Sequence, residues 1–419
     1  MELYLTVMMF IGSFVFLYPI MLSVVWIVGG VFFWHRGEKK AFPNSLSDSE
    51  IHWPRVTVLV PCHNEERTIK KTIDSLARVD YQNFLVVFID DASTDETVSV
   101  IREAILGIDN FQLLKLENNH GKAETLNYAL TKIVDTPICT VIDADTLLDR
   151  DSLKRLVLPF IHQPNLGAVT GNPFVYNRDN LLEKLQTAEF ASIIGLIKRA
   201  QTSFGPLLTI SGCITSFNTQ VLKEIHGFSA NTATEDIDIT WKIQKNHYQI
   251  FFEPRAIAYI QVPSSLRDYW KQRTRWSLGG WHLLREHKNV FTSWMWRRLW
   301  TLYLEFSLSY IWAFCFVFGS IIWGIMAVLF GAHSGVMPLA FWHGAIISFM
   351  CIVQFATALM VSRQYDPSLW RSFFWIPWYP IFFFATNSLA IVRSSIKGLF
   401  GELEKTGKWK SPDRLDTSL

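Results

Sequence analysis

Two carboxylates in the middle of the chain have the spacing of a metal site. Asp143 and Asp145 are separated by one residue and follow the apolar run 138–142. At the end of an extended strand, side chains two residues apart point the same way and can share one cation. Carboxylate oxygens suit Mg²⁺ or Mn²⁺, and such a metal would neutralise charge on a departing diphosphate. A solvated turn is the alternative, but the position directly after an apolar strand favours a metal site.

Two further acidic groups have a simpler explanation when each is taken alone. Thr234, Glu235 and Asp236 directly precede a helical stretch, where Thr234 would cap the helix and the acids would favour its dipole. Asp90 and Asp91 begin a segment rich in Asp and Ser, which are standard residues of turns and helix starts. By itself, each group predicts only the beginning of a helix.

A basic and aromatic motif lies further along the chain. Gln272, Arg275 and Trp276 are at positions i, i+3 and i+4, so a helix places them on one face. An aromatic ring can stack on a sugar, and an arginine can pair with a diphosphate through two hydrogen bonds. The alternative is an interfacial helix rich in Arg and Trp, and one helix can serve both purposes.

The elements that must position these side chains alternate between strand and helix patterns. Strands are predicted at 55–60, 84–89, 112–116, 138–142 and 168–171. This alternation predicts an α/β fold with a mostly parallel, doubly wound sheet. Ligands bind beyond the carboxyl ends of the strands in such sheets. Asp90, Asp91, Asp143 and Asp145 all lie at such ends.

Composition places part of the chain in lipid. Half of the 419 residues are apolar, and 17 Trp and 32 Phe are present, which exceeds what a soluble enzyme needs. Four apolar runs are each long enough to cross a bilayer: 3–34, 302–330, 338–361 and 373–392. The first run is too long for a cleaved signal peptide and lacks a preceding basic region. We therefore expect membrane helices on both sides of the sheet domain.

Basic residues predict the sidedness of the chain. The cluster from His35 to Lys40 places the sheet domain in the cytoplasm by the positive-inside rule. Segment 331–336, without Lys or Arg, should lie outside, and the segment with Arg363 and Arg371 inside. The last apolar run is either a full crossing or a re-entrant hairpin.

Charge and cysteine content exclude other classes of function. The net charge is only +2, so no strongly basic field indicates nucleic-acid binding. The five cysteines form no C-x-x-C pair or zinc spacing, which disfavours disulfides and a structural metal site.

Taken in order, the motifs resemble those of the processive, membrane-embedded family 2 glycosyltransferases. These enzymes polymerise sugars from nucleotide-sugar donors. The resemblance covers about residues 55–281, and the local sequence there is similar to that of bacterial poly-β-1,6-N-acetyl-D-glucosamine synthases. The stretches that carry it are 119–123, 167–173, 234–242 and 270–276.

The resemblance implies a GT-A-type sheet and a role for each motif residue. Asp236 would be the general base that deprotonates the acceptor hydroxyl, with inversion at the anomeric carbon, and Asp145 would also be catalytic. Asp143 and Asp145 would hold Mg²⁺ or Mn²⁺. The implied donor-binding residues are Pro61, Asn64, Glu65, Asp90, Asp91, Lys122, Asp143 and Asp145. The implied acceptor or diphosphate residues are Ser211, Gly212, Glu235, Gln272, Arg273, Arg275 and Trp276.

The resemblance further implies a function and partners. We expect a membrane-embedded processive enzyme that polymerises N-acetylglucosamine from UDP-GlcNAc into poly-β-1,6-GlcNAc, a biofilm exopolysaccharide, and moves the chain across the bacterial inner membrane. A small transmembrane accessory subunit and membrane lipid are expected partners, and nucleic acid is not. The alternatives are a synthase of chitin-like oligomers, hyaluronan or cellulose, and an inactive membrane scaffold or transporter.

Six segments follow from these patterns. They are an N-terminal transmembrane helix (1–34), a cytosolic linker (35–54), a GT-A domain (55–263), amphipathic interface helices with the Gln-x-x-Arg-Trp motif (264–300), transmembrane or re-entrant helices (301–395) and a polar tail (396–419).

Overall fold

The structure, a computed structural model, describes residues 2–38, 51–330 and 342–401. Most of the expected linker, the expected outer segment 331–336 and most of the expected tail lie outside these ranges. Contacts divide the chain into two compact units. The helical unit comprises residues 1–34, 184–204 and 265–401, and the sheet unit has its described residues within 35–183 and 205–264.

The described residues form eight strands and thirteen α-helices. The strands are β1 (Val56–Cys62), β2 (Phe84–Asp91), β3 (Phe111–Leu116), β4 (Ile138–Ile142), β5 (Leu147–Leu148), β6 (Leu166–Val175), β7 (Ile214–Asn218) and β8 (Gln249–Ile260). The helices are α1 (Glu2–Phe32), α2 (Ile69–Ala77), α3 (Thr97–Ala104), α4 (Lys122–Lys132), α5 (Ser152–His162), α6 (Leu181–Phe190), α7 (Ile197–Phe204), α8 (Thr219–Glu224), α9 (Glu235–Lys245), α10 (Leu266–Glu286), α11 (Arg297–Phe330), α12 (Trp342–Ser362) and α13 (Tyr379–Phe400).

All eight strands join one mixed sheet in the order β3-β2-β1-β4-β7-β6-β8-β5. The pairings β1–β2, β1–β4, β2–β3 and β6–β8 are parallel. Strand β7 is antiparallel to both β4 and β6, and β5 is antiparallel to β8. The expected mostly parallel α/β sheet is therefore confirmed, with antiparallel pairings in its second half.

Helices cover both faces of the sheet because side chains alternate along its strands. In β1, Val58 and Val60 pack in one apolar cluster with Ile73 of α2. Leu59, between them, belongs to a second cluster that contains Leu126 of α4. This period of two is expected of a strand that is buried on both sides.

The strand register brings the candidate site residues to one edge of the sheet. Cys62 at the end of β1 pairs with Asp90 near the end of β2. In the antiparallel pair β4–β7, Ile142 pairs with Ile214. The residues that follow β1, β2 and β4 therefore lie at the same edge as those that precede β7, which include Gly212.

In the helical unit, α1 packs closely against α7. A Cβ on Gly29 would lie 2.6 Å from the Phe204 ring and 2.9 Å from Ala200. The glycine therefore allows a close approach of the two helices. Elsewhere α1 meets α11, where the Trp312 indole donates to the Val15 carbonyl at 2.9 Å.

Three helices in the described ranges are long and apolar enough to cross a membrane. They cover Thr6–Arg36, Trp294–Leu329 and Gly344–Ser362. A fourth candidate combines the 3₁₀ segment Pro367–Trp378 with Phe382–Phe400, and these two parts are bent by 73°. Pro377 and Pro380 lie next to this bend, and both a broken crossing and a re-entrant hairpin fit it.

Candidate active site

The two aspartates of the D-x-D motif lie where β4 ends. The strand stops at Ile142, and a turn follows in which the Thr146 amide donates to the Asp143 carbonyl at 3.0 Å. Both aspartates are partly exposed, whereas Ala144 between them is buried. The turn therefore presents two carboxylates at the sheet edge.

Lys122 joins this turn to the third acidic motif. Its Nζ lies 2.6 Å from Asp143 Oδ1 and 3.0 Å from Glu235 Oε1. Burial would lower the pKa of Lys122, but the two carboxylates outweigh it and raise the pKa, so the lysine is charged. Burial also raises the pKa of Asp143, an effect that the charge of Lys122 opposes. One ammonium thus neutralises carboxylates from two separate motifs.

The position of Lys122 depends on the turn before α4. Gly121 precedes the helix with φ of 82°, a conformation that favours glycine. The amides of His120 and Gly121 donate to the two oxygens of Asp91 at 2.9 and 2.8 Å. Asp91 is fully buried, and it fixes the turn that delivers Lys122. Asp90, equally buried, accepts from the Ser93 amide at 3.3 Å.

The loop after β1 is tied to the loop after β2. Pro61 is buried within β1, and Asn64 beyond it has φ of 55° and accepts from the Thr94 amide at 2.8 Å. The Glu65 amide donates to Thr97 Oγ1 at 2.7 Å. The structure thus brings the two segments that were expected to bind the donor nucleoside together at neighbouring strand ends.

Glu235 and Asp236 begin α9. Thr234 occupies the N-cap position of this helix, as the alternative had it, but its side chain makes no capping hydrogen bond. Asp236 is close to Gly212, where an added Cβ would lie 3.3 Å from the Asp236 Cβ. These residues line a small cavity together with Lys122 and Phe228. The general-base candidate therefore shares one cavity with Lys122.

A hydroxyl network that was not predicted fixes the Ser211 segment. The Ser211 amide donates to Thr170 Oγ1 at 2.7 Å, and Thr215 Oγ1 donates to the Ser211 carbonyl at 2.8 Å. From the other side, Thr240 of α9 accepts from the Ile210 amide at 2.9 Å. Thr170 and Thr215 lie in strands, where threonine usually indicates β propensity alone, so no sequence pattern pointed to this role.

The Gln-x-x-Arg-Trp residues lie on α10, in the helical unit. Arg275 is exposed, and Gln272 and Trp276 are partly buried. Gln272 Oε1 is buried without a hydrogen-bond partner in the described residues. Leaving such an acceptor unpaired costs about 1–3 kcal/mol, which a ligand hydroxyl would recover.

Arg273 is placed differently from the expectation that it, or Arg275, meets a diphosphate. Its guanidinium is 3 % exposed and donates to both oxygens of Glu189, at 2.6 and 2.9 Å. This bidentate ion pair directs both terminal nitrogens of Arg273 at Glu189. Of the two arginines, Arg275 is the more exposed.

The D-x-D turn can hold a divalent cation with help from a substrate. Among the residues that the structure describes, no cluster of three or more His, Cys, Asp or Glu side chains forms a complete metal cage. Mg²⁺, however, is commonly bound by one or two carboxylates together with substrate phosphates. Asp143 already holds one cation, the ammonium of Lys122. The donor set therefore fits a metal that arrives with a nucleotide diphosphate.

Comparison with known proteins identifies the family. A model described as "Glycosyltransferase like family 2" matches residues 54–279, more than half of the chain. The chain belongs to glycosyltransferase family 2. This confirms the resemblance and the expectation of a glycosyltransferase, and the match covers the sheet unit's β1 through most of α10.

Named relatives match this family 2 enzyme along nearly its whole length. A poly-β-1,6-N-acetyl-D-glucosamine synthase of Staphylococcus epidermidis is 33% identical over 412 residues, 97% of this chain and 99% of the relative. The protein of the same name from Staphylococcus aureus strain COL is 31% identical over 411 residues, covering 97% and 98%.

A solved structure shares the fold. The mannosyltransferase PcManGT from Pyrobaculum calidifontis, in complex with GDP-Man and Mn²⁺, covers 92% of this chain and 99% of its own. The TM-score is 0.59 and the sequence identity is 20%.

Proposed function

We propose that this enzyme polymerises N-acetylglucosamine from UDP-GlcNAc into poly-β-1,6-GlcNAc. The observation that carries the proposal is the full-length similarity to synthases of that name, at 33% identity over 97% of the chain. The similarity includes the apolar helices as well as the sheet unit. A shared catalytic domain alone would support only the transfer of some sugar.

The donor would bind beyond the strand ends. We assign the nucleoside to the loops that contain Pro61, Asn64, Glu65, Asp90 and Asp91. A divalent metal, Mg²⁺ or Mn²⁺, held by Asp143 and Asp145 would supply Lewis-acid stabilisation of the leaving diphosphate. Lys122 would leave its carboxylates and pair with the diphosphate, at a helix N-terminus that also attracts anions.

The transfer itself needs one base and no covalent intermediate. Asp236 would take the proton of the acceptor 6-hydroxyl as that oxygen attacks the anomeric carbon. The bond from this carbon to the UDP oxygen breaks, UDP departs, and the configuration inverts. Glu235, paired with Lys122 at 3.0 Å, would set the charge balance beside the base.

The acceptor end of the polymer would meet a separate group of residues. Trp276 would stack on a sugar ring, and the unpaired amide oxygen of Gln272 would accept from a sugar hydroxyl. Arg275 would contact the diphosphate. Ser211 and Gly212 would border the terminal sugar, since Gly212 leaves space next to Asp236.

The apolar helices suggest where the polymer goes. We propose an enzyme of the bacterial plasma membrane, with the GT-A domain (55–263) in the cytoplasm, interface helices (264–300), and transmembrane helices on either side that move the growing chain outward. A small transmembrane subunit and lipid would complete the assembly.

The test is incorporation of labelled UDP-GlcNAc by membranes that contain the full chain and Mg²⁺ or Mn²⁺. The proposal predicts a polymer that a β-1,6-specific hexosaminidase digests, and no polymer from membranes with Asp236→Asn. A polymer that resists this hexosaminidase would indicate a synthase of another β-linked polysaccharide. A lack of incorporation, with and without a candidate membrane subunit, would reject the donor.

A further inference from the structure

A buried ion pair ties the motif helix to α6. Arg273 of α10 and Glu189 of α6 are 3 % and 1 % exposed, and two hydrogen bonds of 2.6 and 2.9 Å join them. Removing two charges from water is costly, and a well-packed apolar pair would often stabilise a protein as much. Stability alone therefore does not explain why this ion pair is buried here.

The same guanidinium lies between two aromatic rings of its own helix. The Arg273 Cζ is 4.5 Å from the ring centroids of both Tyr269 and Trp276. Tyr269 in turn packs at 5.3 Å from the ring of Phe382 in α13. Aromatic and cationic layers thus continue from α13 through Arg273 to the indole of Trp276.

Neither Glu189 nor Arg273 can move without disturbing this stack. The bidentate geometry fixes the guanidinium plane, because its two terminal nitrogens both donate to one carboxylate. The fixed plane then defines where the Trp276 ring can stack. Lys in place of Arg would keep the charge but lose both the second hydrogen bond and the planar surface.

We propose that Glu189 and Arg273 are positioning residues, which hold the Trp276 ring in the orientation that receives the acceptor sugar. This rests on the proposed function, in which Trp276 is the acceptor platform. It replaces the expectation that Arg273 binds a diphosphate, and it adds Glu189, which no sequence motif had indicated.

Use of the acceptor and binding of the donor should respond differently to loss of the ion pair. A misplaced Trp276 would impair transfer to the polymer but leave the donor site of the sheet unit unchanged. Glu189→Gln and Arg273→Lys should therefore reduce polymer formation by roughly 100-fold, the cost of a misplaced reactant. The affinity for UDP should stay within about twofold, because the proposed donor contacts of the sheet unit are unchanged and Arg275 is not substituted. Trp276→Ala should reproduce this split.

Two further variants exclude a purely structural role. Glu189→Gln combined with Arg273→Met removes both buried charges, so thermal stability should recover relative to Glu189→Gln alone, which leaves the Arg273 charge buried and unpaired. Polymer formation should not recover, because the guanidinium next to Trp276 is still missing. Lys271→Met is the matched control, since Lys271 is exposed on the same helix and pairs with the nearby Asp268 at 2.8 Å.

The experiment uses the full chain in detergent, with UDP titration by calorimetry, UDP release and polymer yield. Hydrogen exchange of residues 269–277 adds a readout that requires no activity, and faster exchange is expected in Glu189→Gln and Arg273→Lys but not in Lys271→Met. The proposal is overturned if polymer yield recovers with stability in the double variant, if UDP affinity falls in parallel, or if exchange is unchanged. Absence of polymer from the wild-type chain would reject the proposed function instead, and the exchange data would still decide the positioning role.

Discussion

Replacing Lys122 by Met should make the resting enzyme bind its metal more tightly and yet stop catalysis. The Lys122 ammonium lies 2.6 Å from Asp143 Oδ1, on the carboxylate proposed to hold the metal. At an effective dielectric constant of about 20, attraction at this distance is about 6 kcal/mol before desolvation is subtracted. The net attraction between Lys122 and Asp143 is far smaller after desolvation. If the ammonium competes with the metal by about 1.4 kcal/mol, the affinity for the metal changes tenfold.

Mn²⁺ titration without nucleotide, followed by electron paramagnetic resonance, measures this competition. Lys122→Met should bind Mn²⁺ about tenfold more tightly than the wild type. Polymer formation should fall by roughly 10²–10³, the usual cost of removing one group that stabilises transition-state charge. Lys70→Met, an exposed lysine on α2, is a control for the loss of one positive charge. The reasoning would be refuted by weaker Mn²⁺ binding in the variant, or by activity within threefold of the wild type.

Three further predictions follow from the geometry. Asp236→Asn should reduce transfer by at least roughly 10² while UDP binding persists, and substantial residual polymer synthesis would reject Asp236 as the base. Gly212→Ala places a Cβ 3.3 Å from the Asp236 Cβ and should lower polymer yield, whereas Gly324→Ala, with no atom within 4 Å, should not; equal yields would contradict the proposed role of this contact. Arg285, in the last turn of α10, donates to the Gly398 carbonyl near the end of α13 at 3.0 Å. Labelling of cysteines introduced at these two helix ends should therefore find both of them on the cytoplasmic side. Labelling from outside at position 398 alone would contradict this prediction and indicate a full crossing.

The local apolar pattern was sufficient to predict a strand where that strand is short and uniformly apolar. The run 138–142 was predicted and observed with the same bounds, because Asp143 ends it with a turn. Strand β8 was not predicted, since its apolar pattern is interrupted by Glu253, Pro254 and Arg255. The structure explains the interruption, because Arg255 and Glu253 pair with each other at 2.7 Å within the strand.

The site was predictable as a set of residues but not as a set of contacts. The strand-end rule placed Asp91 and Asp143 at one edge correctly. It could not show that Lys122 bridges Asp143 and Glu235, because nothing in the sequence pairs residues from separate motifs. The resemblance assigned Arg273 or Arg275 to a diphosphate. It could not indicate Glu189 as the partner of Arg273, because Glu189 lies 84 positions away outside any motif.

Linkage analysis of the product tests the central claim most directly. The full chain, reconstituted in lipid with UDP-GlcNAc and Mg²⁺ or Mn²⁺, should yield a polymer whose N-acetylglucosamine units are substituted at the 6-oxygen in the β configuration. Units substituted at the 4-oxygen, or an absence of polymer under conditions in which UDP still binds, would contradict the account.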